Sequence, residues 1–468
     1  MPDFNTLGDL LAYHKLPFTL REDQREDVEN LYGFDRIKLF NEVGTGKTAT
    51  STALALAWDT EHNIVLMPPI LLRQWRRWLE SLHDVGEVLV YRGLPAQRQA
   101  MDLTKYRWIL MTIQIFKSDL PRIKKTLEDR SITTIVDEGH SIKNVGSANH
   151  KAVRDFAMGQ KLQVLTGTPI SSPGDTYAYV KLTTPSVYRS VSQFENLHVE
   201  ERDFFGNITK WQNLDLMNKN LMLQGTRRLS GEVLKDLKAP NYIPIRYDLD
   251  SEHLRLYRQL AEEQLLLLPD GGKIDATSAG RLYNALQQIV CNWEHFSGEA
   301  GTVSKAFDVV DMVCDEIDVG EEVSSKLIVY TYYRMTSARM VAHLKKFGAV
   351  ACYSEVSARQ QELNLTRFLE DPSCRILVAQ PGSGGVGFNP QHVCGEVLFI
   401  EEPILPKDFI QAVGRVHRDG QLRIPNVRIA TAEGTIQVRL HERLLIKDAL
   451  ANQVQGGFVD LRNAILGL

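Results

Sequence analysis

Cysteine is scarce: five residues in 468, Cys291, Cys314, Cys352, Cys374 and Cys394, with no Cys-x-x-Cys pair among them. That spacing excludes a zinc ribbon, offers no disulfide framework, and suits a reducing compartment. Long apolar runs are missing as well. The run Leu265–Leu268 falls far short of the roughly 20 residues that span a bilayer. The opening stretch MPDFNTLGDLLAYHKLPF lacks the charged-then-apolar pattern of a secretory signal. The expectation is a soluble, intracellular, cytoplasmic protein with no membrane partner. An excess of positive charge is also absent, since 54 Lys and Arg stand against 58 Asp and Glu, a net charge of −4. A nucleic-acid partner would have to be held by local basic strips rather than by bulk charge.

What is present suits a globular chain. Hydrophobic residues make up 43% and charged residues 24%, ordinary values that supply enough apolar material for two cores. A chain of this length exceeds the size at which single cores divide, so two domains of about 200 residues each are expected. Short β-rich runs recur at 37–40, 64–67, 108–112, 133–136 and 163–165, and again at 327–332, 349–353, 375–379, 397–400 and 427–430. Alternating with helical patterns, they predict parallel sheets covered on both faces. A middle stretch, 170–325, reads as mostly helical. The fold class expected is α/β, two doubly wound parallel-sheet lobes with a helical insertion. The division falls into 1–237 and 238–468, the second lobe having a helical lead-in to about 325.

Three separated strings carry chemistry. The run 37–40 leads into Asn41-Glu42-Val43-Gly44-Thr45-Gly46-Lys47-Thr48, and a helical pattern follows. Strand, glycine loop and helix form the context in which Gly44 and Gly46 let backbone N–H groups turn towards phosphates. Lys47 would reach the β/γ-phosphates and Thr48 would ligate magnesium. Asn41 stands where the strict pattern has its first glycine. The second string places Asp137 and Glu138 at the carboxyl end of a strand, where parallel sheets bind ligands. Asp137 would hold the magnesium, and Glu138 would position and deprotonate a water. The third, QAVGRVHR at 411–418, puts Arg415 and Arg418 on one face if 408–418 is helical, with Gln411 beside them. Inserted arginines stabilise the charge spread over a transferring phosphoryl group. Together the strings describe an ATP site completed by both lobes.

In this order the strings resemble the motifs of superfamily-two helicases, in the Swi/Snf-type branch of duplex-DNA translocases with tandem RecA-like lobes. LREDQ at 20–24 resembles the adenine-reading motif, which implicates Gln24. IVLMPPILLRQWRRWL resembles motif Ia, with Pro68 at its DNA-facing turn, and WILMTIQIF motif Ib, with Thr112 and Gln114. DEGHSIKN (137–144) is similar to the branch's acidic motif, including His140, Lys143 and Asn144. LTGTPI (165–170) matches motif III, whose Thr166 and Thr168 would couple hydrolysis to DNA contacts. RRLSGEVLKDLKAP (227–240) is similar to the inter-lobe arginine segment. YNALQQIVCNWEHF (283–296) is like the helix before the second lobe. LIVYTYY, SGGVGFN (383–389, with Ser383) and QAVGRVHRDGQ (411–421) resemble motifs IV, V and VI.

Two departures touch DNA coupling: Pro381-Gly382-Ser383 replaces the threonine-arginine opening of motif V, and EEPILP precedes motif VI. The resemblance spans about 18–425 and implies a compact motor without appended domains, of the kind viral or bacterial genomes carry; a monomer is compatible with it.

The resemblance implies ATP and Mg2+ as cofactors and DNA, duplex or branched, as partner, gripped mostly by its backbone. Arg73, Arg77, Lys143, Arg227 and Arg334 are the candidate phosphate contacts. Arg73, Arg76 and Arg77 lie opposite a face of Leu71, Leu72, Trp75, Trp78 and Leu79, so the tryptophans read as core. The alternatives are an RNA helicase and an ATP-gated nucleic-acid clamp that displaces bound protein without unwinding. No metal-nuclease constellation is present, so strand cleavage is not expected.

Overall fold

The structure, a computed structural model, describes residues 18–69, 71–234, 236–263, 265–267, 273–275, 279–297, 304–317, 326–381, 388–442 and 444–445. Ser383, with most of the motif V string, lies outside them. The chain divides into two compact units, the first ending at Lys235 and the second beginning at Asp236.

The first unit is built on β1 (Arg36–Leu39), β2 (His62–Met67), β3 (Val88–Val90), β4 (Trp108–Thr112), β5 (Ile132–Asp137) and β6 (Lys161–Leu165). A separate antiparallel hairpin, β7 (Val199–Arg202) with β8 (Ile208–Trp211), precedes β9 (Gly225–Thr226). The main sheet has the order β3-β4-β2-β5-β6-β1-β9 and is parallel throughout. Parallel pairing needs crossovers, which put helices on the faces and bury the strands. Accordingly β2 and β4 are buried along their whole length.

The order has a direct consequence for function. Strands β5, β6 and β1 are neighbours, so the loops that follow them emerge side by side at one edge of the sheet. Those loops carry the strings at 137–144, 165–170 and 41–48. One residue in β1 breaks the apolar rule: Lys38 is fully buried, and its ammonium donates to Thr183 Oγ1 at 2.7 Å.

The second unit contains β10 (Asn241–Tyr247), a short β11–β12 hairpin (Leu265–Leu267, Lys273–Asp275), β13 (Lys326–Tyr330), β14 (Val350–Cys352), β15 (Ile376–Ala379), β16 (Cys394–Phe399) and β17 (Asn426–Ala432). Its parallel sheet runs β10-β17-β16-β13-β15-β14. Period-two alternation sorts its residues between two cores. Leu327, Val329, Ile376, Val378 and Leu398 face one side, while Ile328, Tyr330, Leu377, Val397 and Phe399 face the other.

All ten strands read from apolar runs are present. The middle stretch is not simply helical. It does carry helices Thr176–Thr183, Val191–His198, Leu214–Met222, Ser251–Glu263, Ala279–Cys291 and Lys305–Glu316, but also the β7–β8 hairpin and β10, an edge strand of the second sheet. The helix expected over 408–418 is also shorter. It spans Pro406–Val413, and tight turns follow from Gly414, so Arg415 and Arg418 lie beyond its end. Its buried side holds Phe409, Ala412 and Val413, as the pattern predicts. Among the described residues no helix is long and apolar enough to cross a membrane.

Candidate functional site

The loop after β1 turns sharply at Gly44 and Gly46, whose φ angles of 86° and 82° lie in the left-handed region that glycine adopts without strain. Gly46 caps the helix Lys47–Trp58, so the positive end of that helix faces the loop. A Cβ on Gly46 would lie 2.5 Å from Gln24 Nε2, so Gln24 is packed directly on the loop. Its amide stands 3.4 Å from the carbonyls of Thr45 and of Gly46. Arg21 reinforces this side by donating to the Thr45 carbonyl at 2.6 Å. The Lys47 ammonium folds over the loop and donates to the carbonyls of Asn41 (2.8 Å) and Glu42 (2.9 Å).

Asn41, at the position of the missing glycine, is buried and works as a pin. Its Nδ2 donates to Asp27 Oδ2 at 2.6 Å, and the other Asp27 oxygen accepts from Arg228 Nε at 2.9 Å. Glu42 extends the connection, its Oε2 accepting from both the amide and the hydroxyl of Ser230 at 2.8 Å. The segment after β9 therefore fastens the root of the glycine loop. Sequence reasoning linked Arg228 only to the inter-lobe motif; the one local signal for the pin was the asparagine in place of glycine.

At the end of β5, Asp137 Oδ2 accepts a hydrogen bond from the indole of Trp75 at 2.7 Å, and Oδ1 accepts from the Glu138 amide at 2.9 Å. Burial first, then the Glu138 charge, push the Asp137 carboxyl up from the ordinary range, while the Trp75 bond and the Lys47 charge pull it down. The role of Trp75 was missed. Its helical spacing marks it correctly as core, but its ring nitrogen also fixes the carboxylate. Glu138 holds a left-handed conformation (φ 57°), and its Oε2 stands 3.1 Å from His140 Nδ1. A non-glycine residue in that region, next to a half-buried carboxylate, is the kind of local strain found at functional sites.

In the loop after β6, Thr166 Oγ1 accepts from the Thr168 amide at 3.2 Å. Gly167 is pressed onto the glycine loop, where a Cβ would lie 2.9 Å from Val43 Cγ2. The strings at 41–48, 137–144 and 165–170 thus share one edge, with Lys47 close enough to Asp137 to act on its charge.

The proposed nucleic-acid residues of this unit are less concentrated. Pro68 is half-buried; Gln114, Asn144, Arg73 and Arg77 are exposed. Thr112 spends its hydroxyl as the N-cap of helix Ile113–Thr126, accepting from the Ile115 amide at 3.3 Å. Asn144 accepts from the Gly146 amide. Lys143 is engaged with Asp175 and Ser171.

In the second unit, Gln411 and Arg415 are buried. Arg418 donates to the Gly414 carbonyl at 2.9 Å and to Asn389. Burial and the adjacent Arg415 charge lower its proton affinity, although a guanidinium stays charged near neutral pH. Gln421 bridges the carbonyls of Val416 and Cys394, both at 3.0 Å, and so holds the arginine turns against β16. Glu401 accepts from the Tyr332 and Tyr333 amides and the Thr336 hydroxyl, fixing the loop after β13. Arg334 is paired with Glu355.

Two parallel-sheet units, the first with a glycine loop and an acidic pair at its carboxyl edge, define a tandem RecA-like protein. The SNF2-related domain family matches residues 35–295, and the helicase conserved C-terminal domain matches residues 308–420. The chain belongs to the SNF2-related family. It is 25% identical over 442 residues to the Danio rerio chromodomain-helicase-DNA-binding protein 1-like, covering 89% of this chain and 41% of that protein. It is 24% identical over 467 residues to a Mus musculus SWI/SNF-related matrix-associated actin-dependent regulator of chromatin (subfamily A member 1), covering 90% and 42%. The chain thus spans about two fifths of the length of these relatives. Among solved structures, the Sulfolobus solfataricus SWI2/SNF2 ATPase core in complex with dsDNA matches at 20% identity and a TM-score of 0.43, covering 94% of this chain and 95% of that one.

Proposed function

We propose that the protein is a DNA-dependent ATPase that turns ATP hydrolysis into movement along duplex DNA. The observation that carries this is the meeting of the loops after β1, β5 and β6 at one sheet edge, with Lys47, Asp137 and Glu138 among them. Family membership supports it, as do the relatives it resembles, which are named as helicase and chromatin proteins.

In this function the amides of Val43, Gly44, Thr45 and Gly46 cradle the phosphates, Lys47 neutralises them, and Gln24 lies on the adenine side. Thr48 and Asp137 would hold Mg2+, which neutralises triphosphate charge when bound. Both are hard oxygen donors, and Asp137 is a half-buried carboxylate that gains from a nearby cation. Magnesium commonly takes only one or two carboxylates, its remaining ligands being phosphates and waters.

Glu138 takes the proton of the attacking water, oriented by its neighbour His140. Arg415 and Arg418 supply positive charge to the γ-phosphoryl group in the transition state, and the neutral amide of Gln411 beside them offers the nucleotide hydrogen bonds. Thr166 and Thr168 pass the state of the nucleotide to the DNA-facing loops. Pro68, Arg73, Thr112, Gln114 and Asn144 line the track for the backbone, and binding weakens steeply with salt. Remodelling of forks or branched DNA is the narrower form of the same proposal.

ATPase rates measured side by side with duplex, single-stranded and branched DNA and with RNA test it. Duplex DNA should stimulate most; stimulation by RNA alone overturns the substrate. Lys47→Ala and Glu138→Gln should each reduce turnover by roughly 100-fold or more. Arg418→Ala should keep nucleotide binding and lose hydrolysis, and normal turnover in that variant removes the second unit's arginines from the mechanism.

A further inference from the structure

Lys143 was expected on the DNA-facing surface, yet its ammonium is already committed inside the first unit. It donates to Asp175 Oδ2 at 3.0 Å and to Ser171 Oγ at 2.8 Å. The same Asp175 oxygen accepts from the amides of Ser171 (2.8 Å) and Ser172 (3.1 Å). Both ends of the pair are largely shielded, at 26% and 16% side-chain exposure, so the attraction is not lost to solvent screening.

What the pair joins gives it meaning. Lys143 closes the short 3-10 turn Gly139–Ile142 that directly follows Glu138. Asp175 sits where the loop after β6 enters the helix Thr176–Thr183. Between them lies Gly167, seated on Val43 of the glycine loop. The helix is fastened further along as well. Tyr179 packs edge-on against Phe40 at 5.1 Å between ring centres, and Thr183 takes the Lys38 bond. The segment 166–183 is therefore a frame laid across the ends of β5 and β1, and its only charged bolt to the Glu138 turn among the described ion pairs is Lys143–Asp175.

We propose that Lys143 is a positioning residue: with Asp175 it forms an internal strut that ties the turn bearing Glu138 to the loop bearing Gly167. The strut sets how strongly DNA on the outer loops accelerates hydrolysis, and Lys143 makes no phosphate contact. This rests on the ATPase function proposed above.

The test uses the full chain with Lys143→Ala, Asp175→Asn and the double variant, each first shown folded at the assay temperature by thermal melting. DNA-stimulated kcat should fall about tenfold in each, the size typical of a coupling free energy. The ATP KM should stay within about twofold, and the double variant should fall no further than the worse single one. DNA affinity and its salt slope should match the wild type. Weaker DNA binding with a salt slope smaller by about one identifies a phosphate contact instead and overturns the strut. Unchanged kcat in a wild-type background that is DNA-stimulated also overturns it, while leaving the ATPase function intact. A wild type with no DNA stimulation overturns both. Should Lys143→Ala melt too low, Asp175→Asn, which keeps an oxygen for the two serine amides, carries the same measurements.

Discussion

Trp75 shows how much one ring nitrogen can do. Trp75→Phe keeps the aromatic body in the core and removes only the donor to Asp137 Oδ2. The carboxylate then loses one of its two fixed partners, a loss worth about 1–3 kcal/mol for a buried charged acceptor. Steady-state ATPase assays should show kcat lowered by roughly tenfold with the protein still folded; an unaltered kcat would mean the bond is incidental. Lys38 makes the opposite case. Its burial in β1, where the ammonium meets the Thr183 hydroxyl, pulls it down to about 7. Between about 7 and the ordinary lysine value the unfolded chain binds more protons than the folded one, so this group makes stability rise with pH over that window. Lys38→Met should stabilise the fold at pH 6 by on the order of 1–3 kcal/mol, seen as a higher melting temperature, and the gain should shrink towards pH 10. A gain independent of pH would point to packing alone.

Helices in the first unit are joined by a second buried device. Arg98, on the short helix Pro95–Gln99, clasps Asp119 of helix Ile113–Thr126 with two bonds of 2.7 and 2.9 Å, and Tyr91 adds a third at 2.7 Å. The Arg98 bond above all holds the Asp119 carboxyl down to about 2. The stability it contributes is fully present above the ordinary aspartate value near 4 and is lost as pH falls through about 2. Asp119→Asn should therefore lower the melting temperature at pH 7 and have progressively less effect in acid, as circular dichroism melts would show. Strands of both sheets were legible because parallel strands buried on two faces are continuous apolar runs. The elements that escaped lacked that signal. β10 is a half-exposed edge strand containing Pro244, β9 has two residues, and the β7–β8 hairpin is built from VEER and ITKW. The shortened helix at 406–413 was misjudged because the apolar pattern continues to Val416 while the backbone has already turned at Gly414. Site residues that sit within one continuous string, such as Gly44 and Lys47 in 41–48 or Asp137 in 137–144, could be read locally. Partners brought in from far away, such as Asp27 for Asn41 or Trp75 for Asp137, could not, since nothing near them in the chain announces the pairing.

At the level of the whole molecule, each unit has its own sheet and its own apolar interior. Calorimetry should accordingly resolve two transitions, because units with separate cores need not melt together. A slowly hydrolysed ATP analogue should raise the one belonging to residues before 236, by the mass-action effect of binding to the folded form. A single transition that shifts as a whole would show that the two interiors are energetically one. The Asn41–Asp27–Arg228 pin also bears on how the chain is made. A ribosome delivers the glycine loop early, but Arg228 and Ser230 nearly two hundred residues later. Until they emerge, the root of that loop lacks the partners that fix it, so a nascent chain arrested before β9 would carry the fuel-gripping string in an unfastened form. On the proposed function, completion of the first unit, rather than appearance of its signature, is then the moment at which the growing polypeptide should become able to take up nucleotide.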